Sequence, residues 1–75
     1  MAIRVISFGQ LSEITGKIFQ AEVQNTDQLA ALLRDRYHIP VDIKYMVAVN
    51  KKVITNNTLL KADDTVALLP PYSGG

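Results

Sequence analysis

The sequence predicts an α+β fold in which a mixed β-sheet carries one main helix packed on one of its faces. Segments rich in β-branched residues stand near both ends of the chain, where they favour strands. One long segment near the middle instead has apolar residues at helical spacing. With 75 residues and a hydrophobic fraction of 48%, the chain has the size and composition of one small domain with a modest core.

Two strands are predicted in the first third of the chain. The first runs from Ile3 to Phe8, and Gly9 with the Ser12–Gly16 stretch forms the break after it. The second is expected at about Ile18 to Val23, where apolar residues alternate with polar ones. These two strands are expected to form a hairpin.

A helix is predicted to follow, starting at Thr26 as its N-cap and ending before or near Pro40. Asp27 is placed favourably for the positive end of the helix dipole. The apolar side of this helix has i, i+3, i+4, i+8 spacing and consists of Leu29, Leu32, Leu33 and Tyr37.

Three shorter strands are predicted in the last half, at about Tyr45–Val49, Val53-Ile54 and Val66–Leu69. Asn50-Lys51 and Asp63-Asp64 have the chemistry of turns. The order β-β-α-β-β-β, with the first and last strands as parallel central neighbours, is the β-grasp arrangement of ubiquitin-like domains. We therefore expect a β-grasp domain over residues 1–69 and a flexible, extended C-terminal tail over residues 70–75.

The tail is the most informative part of the sequence. The last strand passes through Pro70-Pro71 into Gly74-Gly75. Two consecutive glycines give the narrowest and most adaptable segment that a polypeptide can have. Such a segment can enter a channel in another protein and present a terminal carboxylate there, so Gly75 is the predicted reactive residue.

A partner surface is predicted beside the tail. Alternation in the first strand places Arg4, Ile6 and Phe8 on one face, and burying an unpaired Arg is costly, so that face is expected to be exposed. Pairing Leu69 beside Phe8 gives an exposed apolar patch, which typically marks a partner surface. The alternative is that Phe8 and Leu69 form a small satellite core.

Composition argues against several other functions. The formal net charge is +1 and the basic residues are scattered, so nucleic-acid binding is not indicated. The chain has no cysteine and one histidine, His38, without a nearby catalytic constellation, and Asp63-Asp64 is better explained as a turn than as a metal site. Because there is no signal-peptide segment and no apolar run near the ~18 residues of a membrane span, we expect a cytoplasmic protein.

Almost the whole chain resembles the small subunit of molybdopterin synthase, a ubiquitin-like sulfur carrier. The matching segments are 3–10, 47–50 and 64–71, followed by Gly74-Gly75. The ending is the specific part, because residue identity, spacing and terminal position all agree. Two residues depart from the pattern: Tyr72 stands where relatives usually have a small aliphatic residue, and Ser7 stands where they often have an aromatic one.

The resemblance implies a chemical role for Gly75. Its carboxylate would attack the α-phosphate of ATP in a separate activating enzyme, an adenylyltransferase, and form an acyl-adenylate. Sulfur from a donor would then displace AMP and leave a thiocarboxylate. The tail (Pro70, Pro71, Tyr72, Ser73, Gly74) would next insert into the large synthase subunit, where sulfur is passed to a cyclic pterin precursor of the molybdenum cofactor.

The same resemblance implies how the chain works with its partners. Two carriers would bind a dimeric large subunit to form a heterotetramer. Phe8, Leu69 and Ile6, which strand alternation places on the exposed face, are expected at that interface. The chain would bind no cofactor or metal and would not be an enzyme by itself, since it has no phosphate-binding Gly-rich loop.

Three other functions stay open. The first is a carrier for thiamine synthesis or for another thiocarboxylate pathway, although thiamine carriers generally lack a double proline like Pro70-Pro71. The second is a protein modifier whose Gly75 becomes joined to lysines of target proteins. The third is an interaction module whose Gly-Gly end is incidental.

Overall fold

The computed structural model describes residues 2–40 and 43–71. Strands and helices follow one another there as β1 (Ile3–Ser7), α1 (Gln10–Thr15), β2 (Ile18–Ala21), α2 (Thr26–Tyr37), β3 (Met46–Val49), β4 (Lys52–Ile54) and β5 (Thr65–Leu69). The strands form one five-stranded sheet in the order β2-β1-β5-β3-β4. The predicted α+β class and β-grasp arrangement are confirmed.

Strand β5 occupies the centre of the sheet. It pairs in parallel with β1, from Arg4 opposite Thr65 to Ser7 opposite Leu68. On its other side it pairs antiparallel with β3, from Met46 opposite Leu69 to Val49 opposite Val66. The first and last strands are thus adjacent, as predicted, and the C-terminal segment leaves from the middle of the sheet.

The core lies between α2 and one side of the sheet, which we call the inner face. The helix contributes Leu29 and Leu33, each 1% exposed. Alternate residues of the strands meet them, and the buried apolar cluster consists of Ile3, Val5, Leu11, Ala21, Val23, Leu29, Leu33, Ile39, Val66 and Leu68. Of the predicted apolar side of the helix, Leu29 and Leu33 thus lie in the core, and Leu32 and Tyr37 pack against it partly buried.

The predicted antiparallel pairing of the first two strands is confirmed, but helix α1 lies in the connection where only a break was expected. Two features hold this short helix in place. Leu11 is buried in the core, and the Thr15 hydroxyl lies 2.9 Å from the hydroxyl of Ser7 in a buried pair. Ser7, which stands where an aromatic residue was expected, thus has a polar partner on α1.

Helix α2 begins one residue earlier than predicted, since its N-cap is Asn25 and not Thr26. The Asn25 side chain accepts from the Gln28 backbone N–H at 2.8 Å. The neighbouring Asp27 N–H donates to Asn57 Oδ1 at 2.9 Å, so a segment from much later in the chain completes this helix end.

The predicted turn at Asn50-Lys51 is confirmed, and both residues have positive φ, at 51° and 73°. This is the backbone of a two-residue hairpin loop, which asparagine tolerates well. The Asn50 side chain also donates to Asp64 Oδ1 at 2.8 Å and accepts from the Thr65 N–H at 2.9 Å. It therefore ties the β3–β4 hairpin to the start of the central strand.

Candidate partner surface and tail root

The sheet face opposite α2, which we call the outer face, carries a continuous apolar row across all five strands. The pairing register places Ile18 beside Ile6, Ile6 beside Ala67, Ala67 beside Ala48, and Ala48 beside Val53. Side chains of directly paired residues point to the same side of a sheet. We call these five residues the outer-face row.

The outer-face row is open to solvent at both edges of the sheet. Ile18 is 62% exposed on β2, and Val53 is 47% exposed on β4. In the middle of the row Ile6 and Ala67 are half-buried and Ala48 is 4% exposed, although none of the five residues belongs to the core cluster beneath the helix. The sheet thus has apolar residues on both faces, and only the inner face is covered by the helix.

A second apolar group lies next to the row, on the side where β5 ends. Phe8 is 46% exposed, and Leu69 and Met46 are half-buried and directly paired. We call Phe8, Leu69 and Met46 the tail-side patch. Together with the outer-face row it forms an exposed apolar area of the kind that usually marks a protein contact.

The tail-side patch leads directly to the point where the C-terminal segment leaves the domain. A cleft of about 180 Å³ is lined there by Phe8, Gln10, Leu11, Ile43, Lys44, Leu69, Pro70 and Pro71. We call Pro70 and Pro71, both exposed, the tail root. A protein that covers the tail-side patch therefore also lies against the tail root.

The charges bordering these apolar groups are positive. Lys44 lines the cleft at the tail root, and Lys51 lines a shallow depression shared with Ile6 and Phe8. Arg4 is exposed on β1, two residues before Ile6 and on the same face. Within the described residues no carboxylate lines either depression. A partner with acidic groups around an apolar centre suits this surface.

Among the described residues, two ionisable groups have shifted pKa values, and each shift has a structural explanation. Burial raises the pKa of Tyr45, and the Arg34 guanidinium acts in the opposite direction. The backbone N–H of Lys61 and the side-chain amide of Asn50 lower the pKa of Asp64. Neither group lines the cleft at the tail root, so these shifts belong to the scaffold.

The sequence-predicted interface residues lie together. Ile6 and Phe8 line one depression, and Phe8 and Leu69 line the cleft at the tail root. Phe8 is exposed, which favours a partner surface over a satellite core, while Ile6 and Leu69 are half-buried. The role of the three residues in binding stays a prediction. Of the predicted tail residues, Pro70 and Pro71 are at the tail root, and Tyr72, Ser73, Gly74 and Gly75 lie outside the described residues.

Sequence reasoning missed the edges of this surface. Ile18 precedes Phe19 and Ala21, whose apolar alternation was recognised, and the same alternation places Ile18 on the opposite face. Val53 and Met46 could not be placed in the same way, because their position depends on the register between strands. That register is set by long-range pairing and is not visible in the local pattern.

The described residues show no group of three or more His, Cys, Asp or Glu side chains placed to hold a metal ion. In the same part of the chain, neither helix has the length and apolar character needed to cross a lipid bilayer.

A β-grasp domain with an exposed apolar sheet face beside the root of a C-terminal segment is a ubiquitin-like domain with a surface suited to protein contacts. Comparison with known proteins agrees with this class and narrows it. The ThiS family model matches residues 5–75. The chain belongs to the ThiS family of ubiquitin-like sulfur carriers.

Solved structures give the same fold. One similar chain comes from the protein–protein complex of subunits 1 and 2 of molybdopterin-converting factor from Helicobacter pylori, with 31% identity, full coverage of both chains and a TM-score of 0.77. Two small archaeal modifier proteins share the fold at lower identity. SAMP1 of Methanosarcina acetivorans is 23% identical over 99% of this chain and 96% of its own, with a TM-score of 0.77. SAMP1 of Haloferax volcanii is 24% identical with full coverage of both chains and a TM-score of 0.69.

Proposed function

We propose that this chain is the sulfur-carrying small subunit of a molybdopterin synthase. The observation that carries the proposal is the position of the tail root, next to an exposed apolar surface and at the end of the central strand. A partner that binds this surface receives the tail at a fixed place. Family membership and the similarity to a chain of molybdopterin-converting factor support the same assignment.

The chemistry is proposed to take place at the carboxylate of Gly75. In an adenylating partner, a carboxylate oxygen bonds to the α-phosphorus of ATP and pyrophosphate leaves. Sulfur at the sulfide oxidation level then attacks the acyl carbon, AMP leaves, and the thiocarboxylate remains. The carrier supplies the carboxylate and its delivery, and the two partners supply ATP binding and the pterin pocket.

The dimensions of the chain suit delivery into a buried pocket. Residues 70–75 span about 20 Å when extended. This compares with 21 Å for the shortest dimension of the domain. Gly74 and Gly75 keep the end of this segment narrow, and the fixed φ of the two prolines reduces the entropy lost when the segment is inserted.

The partner is proposed to be a large synthase subunit that binds two carriers through its own dimer. Its contact surface is expected to cover the tail-side patch and the central part of the outer-face row. Apolar side chains of this kind form the energetic centre of protein interfaces. The positive groups Arg4, Lys44 and Lys51 would then lie at the rim, where they affect association rate more than affinity.

The decisive experiment follows the mass of the carrier. The protein purified without alkylating reagents is expected to include a form whose mass shows one oxygen replaced by sulfur, located at Gly75 by fragmentation. This measurement also establishes whether Gly75 is the terminal residue in the cell, which the proposal requires.

Deleting Gly75, or adding one residue after it, is expected to abolish adenylation and leave the melting temperature unchanged. Sulfur transfer by the Gly75 deletion would contradict the proposal.

Insertion is tested separately from activation. Gly74→Val widens the chain and restricts its backbone, so the variant is expected to bind the large subunit but not to transfer sulfur.

Complementation then identifies the pathway. A strain lacking its molybdopterin carrier is expected to regain molybdoenzyme activity with this chain. Rescue of a thiamine-requiring strain instead would assign the chain to thiamine synthesis, and conjugates stable to denaturation and reduction would indicate a modifier.

A further inference from the structure

Gly9, in the body of the domain, lies beside the tail root. A Cβ placed on Gly9 would lie 3.2 Å from Cγ of Pro70. This is closer than ordinary van der Waals contact between carbons, which is about 3.5–4.0 Å. The proline ring therefore occupies space that a side chain at position 9 would need, and one of the two would have to shift by a few tenths of an ångström.

Gly9 is itself held in place from two directions. Its carbonyl oxygen accepts from the Ser12 N–H at 3.1 Å and from the Ser12 hydroxyl at 2.7 Å, both on α1. The residue before it, Phe8, donates its N–H to the Leu68 carbonyl at 3.0 Å. The contact surface for Pro70 is thus fixed by the first helix and by the ladder between β1 and β5.

The backbone of Gly9 also requires glycine. Its φ is 63° and its ψ is −140°, a combination that lies close to the region reserved for glycine. Gly16, at the other end of α1, has a comparable conformation with φ 85° and ψ 164°. A Cβ on Gly16, however, would meet nothing within 4 Å. Both glycines therefore have backbone conformations that other residues rarely adopt, and of the two only Gly9 lies close to the tail root.

We propose that Gly9 is a positioning residue that seats Pro70 and so sets the direction in which the tail leaves the sheet. Proline fixes its own φ, so a ring that is also seated against Gly9 leaves few directions for the residues that follow. The tail then loses less freedom when it enters a partner. The consequence for activity rests on the proposed function, whereas the seating of Pro70 does not depend on it.

The test compares Gly9→Ala with Gly16→Ala in the full chain. Both variants introduce a Cβ at positive φ, so both are expected to lower the melting temperature, Gly9→Ala somewhat more because its Cβ also crowds Pro70. Only Gly9→Ala is expected to displace Pro70. In adenylation with the cognate activating enzyme and ATP, KM for the Gly9→Ala carrier is expected to rise about 3- to 10-fold, with kcat unchanged. Gly16→Ala is expected to leave KM unchanged. Equal KM values for the two variants overturn the proposal.

A double-mutant cycle with Pro70→Ala isolates the contact. Pro70→Ala removes Cγ, so the space needed by the methyl group that Gly9→Ala introduces becomes free. If Gly9 acts through Pro70, adding Gly9→Ala to Pro70→Ala raises KM no further. Full additivity of the two effects shows instead that Gly9 acts through the backbone alone, and it overturns the proposal.

A structural measurement keeps this inference separate from the proposed function. Nuclear Overhauser effects between the Gly9 α-protons and the Pro70 γ-protons are expected in the native chain. The amide shifts of residues 72–75 are expected to change in Gly9→Ala and not in Gly16→Ala. If the native chain is not adenylated at all, the proposed function fails, and these spectra still decide the role of Gly9. Absence of the Gly9–Pro70 contact, or unchanged tail shifts in Gly9→Ala, contradicts the inference whether or not that variant is stable.

Discussion

The two faces of the sheet are both apolar at their centres and differ in what covers them. On the inner face, Leu29 and Leu33 of α2 pack against alternate residues of the central strands. On the outer face, the same strands carry the outer-face row, and its end residues are about half exposed or more. Among the described residues, the helix covers one face only, and the apolar residues at the edges of the other face have no covering element. Binding of a partner is our proposed explanation for them, and substitutions on each face test whether they also stabilise the fold.

Two adjacent leucines of β5 offer the sharpest test of this contrast, with the largest expected effect. Leu68 is fully buried on the inner face, and Leu69 is half-buried on the outer face. Leu68→Ala is expected to lower the free energy of unfolding by about 2–5 kcal/mol, because it leaves a cavity in the core. Leu69→Ala is expected to cost less than about 1.5 kcal/mol, since water can reach the vacated space. Urea titration measures both, and equal losses would show that the outer face also stabilises the fold.

Phe8→Asp tests the outer face for binding. The variant is expected to weaken binding of the large subunit by about 2 kcal/mol or more, since it places a charge in the centre of an apolar contact. Isothermal titration calorimetry gives the affinity, and thermal melting gives the stability, which is expected to change little. Leu59→Asp is the matched control, because Leu59 is 77% exposed in the segment beside the start of α2. Unfolding of Phe8→Asp would assign Phe8 to the core.

The edges of the outer-face row are expected to contribute less. Ile18→Thr and Val53→Thr keep β-branched side chains and reduce their apolar surface. Each is expected to weaken binding of the large subunit by less than about 1 kcal/mol, as residues outside an interface centre usually do. Titrations with the single variants and with Phe8→Asp rank the three positions. A loss at Val53 greater than that at Phe8 would move the centre of the interface toward β4.

The smallest expected effect concerns the polar tie between Asn50 and Asp64, which belongs to neither face. The pKa of Asp64 is lower in the folded chain, because the Lys61 N–H and the Asn50 amide bond to its carboxylate. Its contribution to stability is therefore present above the pKa of an unfolded Asp, about 3.9, and is lost as pH falls through the lower folded pKa. Melting temperature measured against pH is expected to fall less steeply on the acidic side for Asp64→Asn than for the native chain. Identical pH profiles would show that the tie does not contribute.

The sequence predicts the parts of this fold that depend on local patterns. The apolar spacing of α2, the alternation of β1 and the turn at Asn50-Lys51 each follow from residues close together in the chain. Helix α1 could not be predicted in this way, since six residues are too few for an apolar period to be recognised. It depends on long-range contacts, namely the burial of Leu11 and the pairing of the Thr15 and Ser7 hydroxyls.

In the candidate site, too, some features follow from local sequence patterns and others depend on long-range contacts. Ile6, Phe8 and Leu69 were predicted as one group from alternation and from the parallel pairing of β1 with β5. The full width of the outer-face row depends on the register of all five strands, which sequence patterns alone do not specify. The proximity of Gly9 and Pro70 could not be predicted from the sequence either. The two residues are far apart in the chain and come together only when the sheet has formed.

The central position of β5 has a mechanical consequence. Tension applied to the chain beyond Pro71 acts along β5, so it loads the ladders with β1 and β3 in shear, and their hydrogen bonds bear the force together. Peeling an edge strand such as β4 would instead break its bonds one pair at a time. A force on the residues beyond Pro71 is thus resisted by two ladders at once, so the domain is expected to stay folded while the end of the chain is held.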